Sequence, residues 1–322
     1  MWSSEIIESA DPDEFIGSIR PHGCQILVTE RGSFEAHAVL MDIDRLYLQR
    51  RRERLARLVE VDMQRSGIIF LTEPGPSMFW NGAEIGMKNV ALFGSGSRCI
   101  SRLSGATAWG SISLAKDDME SVYTSHFGFS PIWTAGCTVI TPPPKALMRL
   151  RSLHAAASKM AETLPELSMR SASAHGLEQS LIQAMLDCSD VRNGQPDTTA
   201  LQHHRLIIRR FGEVLAMNPL KPMHVPETSQ AIGISGRTLR MACQKHFGVS
   251  PTQYLLLRRM RLARRTLRQS NPDVTRVTDV ATDLGFWELG RFSVKYRQIF
   301  GESPSATLRT AVPHYYLPSL SG

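Results

Sequence analysis

A five-residue phrase that occurs twice constrains this chain more than any other feature. Phe247-Gly248-Val249-Ser250-Pro251 returns as Phe300-Gly301-Glu302-Ser303-Pro304, and the likeness runs upstream in both copies. Leu239 aligns with Phe292 and Cys243 with Tyr296; Ser229 and Gly233 align with Ala281 and Gly285 if the second copy has one extra residue in its turn. A fixed internal period marks a supersecondary unit used twice. Each copy reads as a short helix, a turn opened by glycine, and a second helix with apolar residues three to four apart. Ser229 and Ala281 are small where two helices must approach, while Gly233 and Gly285 stand where the first helix stops. Ile234, Leu239 and Cys243, then Phe286, Phe292 and Tyr296, supply two small cores. The outer face of the second helix is then Arg237, Thr238, Arg240, Met241, Gln244 and Lys245 in the first copy. In the second it is Leu289, Gly290, Arg291, Val294 and Lys295, with Arg297 beyond. In a helix-turn-helix this face enters the DNA major groove.

Between the copies, Ser250-Pro251-Thr252-Gln253 predicts a capping box with proline at the first helical position, opening a helix that runs to about Gln269. At ~1.5 Å per residue that helix is about 28 Å long, compatible with the ~34 Å of one DNA turn. It carries Arg258, Arg259, Arg261, Arg264, Arg265 and Arg268. Charge follows the same division. Arg205 to Arg309 holds 18 Lys/Arg and 7 Asp/Glu, net +11, whereas the remainder is net −4. A basic third on a slightly acidic protein is the footprint of a phosphate-binding module.

Upstream the pattern is different. From Gly23 to about Leu114 short segments alternate with period two, among them CQILVTE, SFEAHAVLMD, RLYLQ, LARLVEVD, GIIFLTE and WGSISL. Phe34, Ala36, Ala38 and Leu40 share one face. Such segments predict an antiparallel sheet, a sandwich or a barrel. After Pro142 to Pro144 the period lengthens: Leu147, Leu150, Ala157, Ala161 and Leu164, then Leu177, Leu181, Met185 and Cys188, predict two amphipathic helices. Asp190 to Ala200 combines Gly, Pro, Asn and Asp without period and reads as a linker. The tail AVPHYYLPSLSG is expected to be poorly ordered.

Other function classes find little support. No apolar stretch approaches the ~18 residues of a membrane span, and the acidic start MWSSEIIESADPDEF lacks the layout of a secretory leader. A cytoplasmic location is expected. Cys24, Cys99, Cys137, Cys188 and Cys243 are odd in number and lack CxxC spacing, which suits reduced thiols used as small core side chains. His203-His204, His22, His37, His126 and His154 show no metal-ligand spacing, so no metal or cofactor is expected. There is no GxSxG or Walker loop, and GSGSRC from Gly94 reads as a turn. A nucleotide- or metal-dependent enzyme with a basic C-terminal domain is the competing class. Arg50, Arg51, Arg52 and Arg54 read as a solvated hairpin.

The stretch from about Leu201 to Arg309 resembles the DNA-binding domain of the AraC/XylS transcription regulators. Arg259-Met260, Ala263 and Leu267 match on the connecting helix, followed by Val277, Ala281, Gly285-Phe286, Phe292, Tyr296, Phe300-Gly301 and Ser303-Pro304. GFWELGRFSVKYRQIFGESPSATL further resembles the subgroup of the ethanolamine-operon regulator, where Trp follows Gly-Phe. The resemblance implies an α+β protein. Residues 1–195 would form a β-rich effector-sensing and dimerisation domain with two helices, a cupin-like barrel being one form of it. Residues 201–311 would form an all-α domain with helix-turn-helix units at about 226–247 and 276–300 joined by one long helix. Double-stranded DNA, a small-molecule effector, RNA polymerase and a second copy of the chain are the expected partners. Activation and repression are both left open.

Overall fold

The computed structural model describes residues 2–17, 24–30, 32–130, 137–163, 171–190, 199–218 and 221–310. Contacts divide the chain into two units, Met1–Arg205 and Leu206–Gly322. Most of the expected linker (191–198), Leu164 and the tail from 311 lie outside the described residues.

The first unit carries twelve described strands and four described helices: β1 (Trp2–Ser9), α1 (Pro12–Gly17), β2 (Gln25–Val28), β3 (Ala36–Ile43), β4 (Leu46–Glu53), β5 (Arg57–Asp62), β6 (Ser66–Leu71), β7 (Met78–Trp80), β8 (Ala83–Ile85), β9 (Val90–Phe93), β10 (Arg98–Leu103), β11 (Thr107–Leu114), α2 (Lys116–Phe127), β12 (Cys137–Ile140), α3 (Pro144–Thr163) and α4 (Ser171–Asp187). The strands form a seven-stranded sheet in the order β1-β3-β4-β11-β6-β9-β12 and a five-stranded sheet in the order β2-β5-β10-β7-β8. All described pairings are antiparallel. Of the alternatives open in the sequence, two sheets are realised and no closed barrel occurs among the described residues.

Strand alternation assigns the layers. Val39, Met41 and Ile43 of β3, Leu46 and Leu48 of β4, Ile68 and Phe70 of β6, and Ile112 and Leu114 of β11 pack against Leu147, Leu150, Ala157 and Ala161 of α3 and Leu181 and Met185 of α4. The opposite faces meet the small sheet. Ile69, Leu71, Ala91 and Phe93 pack on Met78, Trp80, Ile85 and Leu103, while Phe34, Ala36, Ala38 and Leu40 join Phe15 and Ile26 as one cluster. The apolar stripes of α3 and α4 are therefore used inside the unit, against the large sheet.

Two readings are corrected here. Arg50–Arg52 lie on β4 rather than in a solvated hairpin: Arg50 and Arg52 pair with Glu73, Arg54 pairs with Glu35, and Arg51 points inward and is buried. Nor do all five cysteines stand apart, since Cys99 of β10 and Cys137 of β12 are joined as a disulfide between the sheets. The 38-residue separation hid this pair from any local spacing rule. GSGSRC is a turn as expected, Gly96 lying between β9 and β10 at φ +80°.

One histidine is built into the helix–sheet layer. His154 of α3 is fully buried, with its Nε2 2.9 Å from the Gln49 carbonyl oxygen. That oxygen only accepts, so Nε2 carries the proton. Gly110 on β11 makes the room: a Cβ there would lie 2.5 Å from the imidazole. Burial pushes the His154 pKa down to about 4. Below the ordinary histidine pKa of about 6.5 the unfolded chain gains a proton that the folded chain refuses. The stability supplied by the neutral ring is thus complete above pH 6.5 and is lost toward pH 4, on the order of 3 kcal/mol in all. Urea unfolding between pH 7 and 4 should show this decline, and His154→Gln should be weaker at pH 7 but shallower in its pH dependence.

Candidate nucleic-acid interface

The second unit is helical. Helix α5 (Thr199–Met217) crosses the division and leads to α6 (Val225–Ile232), α7 (Gly236–Phe247), α8 (Pro251–Gln269), α9 (Val277–Asp283), α10 (Leu289–Phe300) and α11 (Pro304–Arg309). Helices α6 and α7 form the first helix-turn-helix; α9 and α10 form the second.

The repeated phrase is a stop signal followed by a start signal. Gly248 and Gly301 end α7 and α10 in the left-handed region, at φ +69° and +75°, their N–H groups bonded to the carbonyls of Gln244 and Arg297. Two residues later Ser250 and Ser303 cap α8 and α11, accepting from the N–H of Gln253 at 3.2 Å and of Ala306 at 3.1 Å. Pro251 and Pro304 then occupy a first-turn position that needs no N–H. Gly248 and Gly301 thus fix where each second helix ends.

In α7, Leu239, Ala242, Cys243, His246 and Phe247 are buried. Phe247 stacks on Tyr254 of α8 at 4.3 Å, and Phe211 of α5 closes the cluster. Arg237, Arg240, Met241, Gln244 and Lys245 are exposed on the other side. Thr238 is half-buried and engaged in the cap: its N–H lies 3.1 Å and its hydroxyl 2.8 Å from Ser235 Oγ. Gln244 turns back to the Gly248 carbonyl at 3.2 Å. The N-terminal half of the helix therefore presents two guanidiniums and a methionine.

The second unit is built on Val280, Ala281, Leu284, Phe286, Phe292 and Tyr296, packed on Met260, Ala263 and Leu267 of α8. The Tyr296 hydroxyl donates to Thr307 Oγ1 at 2.9 Å, and burial pushes its pKa up to about 12. Leu289, Gly290, Arg291 and Val294 are exposed and Lys295 is half-buried. Arg291 is not idle: it pairs with Glu288 one turn earlier at 2.8 Å. Trp287, 78% exposed, stands beside them and escaped sequence reasoning as a surface residue.

The connecting helix departs from its expected basic face. Arg264 is buried, ion-paired to Glu302 at 3.1 Å and stacked over Phe300. Arg258 donates to the Leu215 carbonyl at 2.9 Å, and Arg259 lies over the Phe286 ring, where burial lowers its pKa. Of the six, Arg265 alone is exposed, the others being half-buried or buried. Several of these arginines hold helices together instead of presenting charge to solvent. The predicted capping box on α8 is shown by its Ser250 half.

A further cluster, unanticipated from spacing, lies in the first unit: Asp44, His175 and Glu178 bring potential ligand atoms within 4.8 Å of one another. Glu178 already neutralises Arg45 at 3.1 Å.

Residues 228–310 match the family described as a helix-turn-helix domain. The chain is 36% identical over 104 residues to a probable thc operon regulatory protein of Rhodococcus erythropolis, covering 32% of this chain and 31% of that one. It is 33% identical over 99 residues to the XylDLEGF operon transcriptional activator 2 of Pseudomonas putida, 31% of this chain and 63% of the relative. It is also 33% identical to a crystallised probable AraC family transcriptional regulator from Rhodopseudomonas palustris CGA009, covering 33% of this chain and 98% of that one at a TM-score of 0.30. Residues 228–310 form a helix-turn-helix domain similar to part of these operon regulators. The chain spans less than two thirds of the length of both operon regulators. No described helix is long and apolar enough to cross a membrane.

Two glycines of the helix-turn-helix domain test its geometry against each other. Gly285 opens the second turn at φ +75°, and a Cβ there would come within 2.8 Å of Pro222. Gly290, in the first turn of α10, has open space around it. Gly285→Ala should lower stability by about 1–2 kcal/mol, the cost of the left-handed region, before any clash is added. Gly290→Ala should be neutral or stabilising by up to ~1 kcal/mol. Thermal unfolding of both variants decides it.

Proposed function

We propose that the chain is a sequence-specific, DNA-binding transcription regulator of the AraC type whose output is controlled by a small molecule. The observation that carries this reading is the exposed face of α7, where Arg237 and Arg240 project from a helix locked between a serine cap and a left-handed glycine. Residues 201–311 are assigned to DNA binding and residues 1–195 to effector sensing and dimerisation. A cavity of about 620 Å³ between the two sheets supports an effector site, since small-molecule sites occupy roughly 300–1,000 Å³. Because the apolar stripes of α3 and α4 are used internally, contact with a second copy falls to the outer faces of these helices, where Met148 is 62% exposed. Cytoplasmic location and contact with RNA polymerase accompany this function. The finer likeness to the ethanolamine-operon regulators rests on Gly285-Phe286-Trp287.

The two units divide the work. Arg237 and Arg240 can each grip a guanine edge with two hydrogen bonds, worth ~1–3 kcal/mol of discrimination. The surface of α10 offers Leu289, Gly290 and Val294 for apolar contact, with Arg291 and Lys295 in reach of phosphate. Leaving Glu288 costs Arg291 little, because exposed ion pairs contribute about 0–1 kcal/mol. Phosphate contacts set register and carry little sequence information.

Genomic fragments selected by the purified full-length protein supply the operator, and a set of single-base changes then reads the roles. Arg237→Ala should relax preference at one or two positions. Arg291→Ala should weaken all sequences alike and reduce the salt slope by about one unit. If Arg291→Ala shifts base preference and Arg237→Ala does not, the assignment of roles is wrong. Binding that ignores salt, or that selects no sequence, removes the reading as a whole.

A further inference from the structure

Among the described residues, one buried guanidinium at the cavity between the sheets has no carboxylate in ion-pair contact. On β4 the inward face is Tyr47, Gln49, Arg51 and Glu53, all lining the cavity. Arg51 is 9% exposed. Its Nη2 donates to Gln49 Oε1, and its guanidinium lies 4.8 Å from the Trp109 ring and 5.7 Å from the Phe15 ring. Its Nε is buried without a partner, and among the described residues no carboxylate lies within ion-pair distance of it. Glu53, on the same face, is committed elsewhere: to Arg57 at 2.6 Å and to Trp109 Nε1 at 3.2 Å. Two buried guanidiniums thus share one buried carboxylate. The other charged residues at the cavity wall are Asp42 and Arg65, of opposite sign; because Arg57, from outside the wall, takes Glu53 as its partner, Arg51 is left as one positive charge in excess.

Most of the rest of the wall is apolar, including Val59, Ile69, Met78, Phe93 and Leu103, with Gln64, Ser111 and Ser113 among the polar residues. On the small sheet Ser101 and Trp80 face one another across the β10–β7 pair. Both are at least 96% buried, and Ser101 Oγ and Trp80 Nε1 have no partner. Arg51 and Trp109 are likewise directly opposed across β4 and β11. The space therefore has an unneutralised guanidinium on one sheet, two hydrogen-bond donors on the other, and hydrocarbon between.

We propose that this cavity binds a small organic carboxylate, its carboxyl group on Arg51, its apolar body against Ile69, Met78 and Leu103, and a hydrogen-bond acceptor toward Trp80 and Ser101. A monoanion matches the single excess charge, whereas a phosphate dianion would leave one negative charge buried and more oxygens than there are donors. This class assignment rests on the reading of the first unit as an effector sensor. Burial lowers the Arg51 pKa, yet a guanidinium stays protonated in a protein and cannot relieve its isolation by losing the proton.

The test uses full-length protein and a panel of phenylacetate, indole-3-acetate, 3-phenylpropionate and octanoate, each beside its primary amide, with phenyl phosphate as the dianion. Melting temperature and tryptophan emission are followed, since Trp80 and Trp109 report from the wall. At least one carboxylate should bind saturably and raise the melting temperature, its amide binding at least tenfold more weakly and phenyl phosphate no better than the amide. Arg51→Gln should remove that preference, and Ser101→Ala should weaken the same carboxylate severalfold. The carboxylate–amide comparison needs no variant, so it stands even if Arg51→Gln fails to fold. Equal binding of carboxylate and amide, tighter binding of phenyl phosphate, or full affinity in a folded Arg51→Gln overturns the proposal. So does the absence of binding by every carboxylate. If amides then bind and alter operator affinity, effector control survives with a neutral ligand class; if nothing in the panel binds while operator binding is intact, both readings lose their footing.

Discussion

Where α7 and α10 end governs everything the DNA-binding domain can present. A recognition helix one residue longer would rotate the following chain by about 100° and carry the next cap serine away from its N–H groups. Gly248 and Gly301 prevent this by entering the left-handed region, and Ser250-Pro251 and Ser303-Pro304 start the next helix two residues later. The start of α8 is thereby tied to the end of α7, and Phe247 is delivered onto Tyr254. The exposed faces of α7 and α10 follow from these ends together with the buried Leu239–Cys243 and Phe292–Tyr296 pairs. The stop and start cost no long-range contact, which is why the same five residues serve twice.

That locality is also why this domain was readable in the sequence. Caps, left-handed turns and a three-to-four spacing of apolar residues are decided within a few positions, and the buried and exposed faces of α7 and α10 fall where that spacing puts them. The connecting helix shows where such reading ends. Arg264 falls on the core stripe of α8, four residues after Met260 and three before Leu267, and is tolerated there because Glu302, 38 residues on, neutralises it and Phe300 covers it. Arg258 finds the Leu215 carbonyl 43 residues back. No window of one helix contains those partners.

The first unit was legible as β-rich followed by helices, and less so in detail, because its large sheet is buried on both faces. Ser66 to Leu71 is buried at every position, so the strand shows a run where a half-buried strand would alternate. On β4 the alternation is present but inverted in appearance: Tyr47, Gln49, Arg51 and Glu53 are the inward set, and polar letters suggest solvent. The short strands β7 to β9 carry too few periods to stand out, and α2 buries only Met119 and Tyr123, too few to mark a stripe. The disulfide partners Cys99 and Cys137 belong to different sheets and meet only once both have formed.

Three buried arginines, compared with one another, separate support from recognition. Arg264 has Glu302 at 3.1 Å and an aromatic face, which balances its charge within the helical core. Arg57 has Glu53 at 2.6 Å and the Leu55 carbonyl oxygen at 2.6 Å, which balances it within the sheet turn. Arg51 has aromatic rings and one neutral amide, which stabilise a cation without neutralising it. A buried charge left in this state costs the folded protein several kcal/mol, and whatever neutralises it recovers part of that cost as binding energy. The first two arginines each have a carboxylate partner within the fold. The third gains most from something the fold does not contain, and it does so at the wall of the large cavity between the sheets.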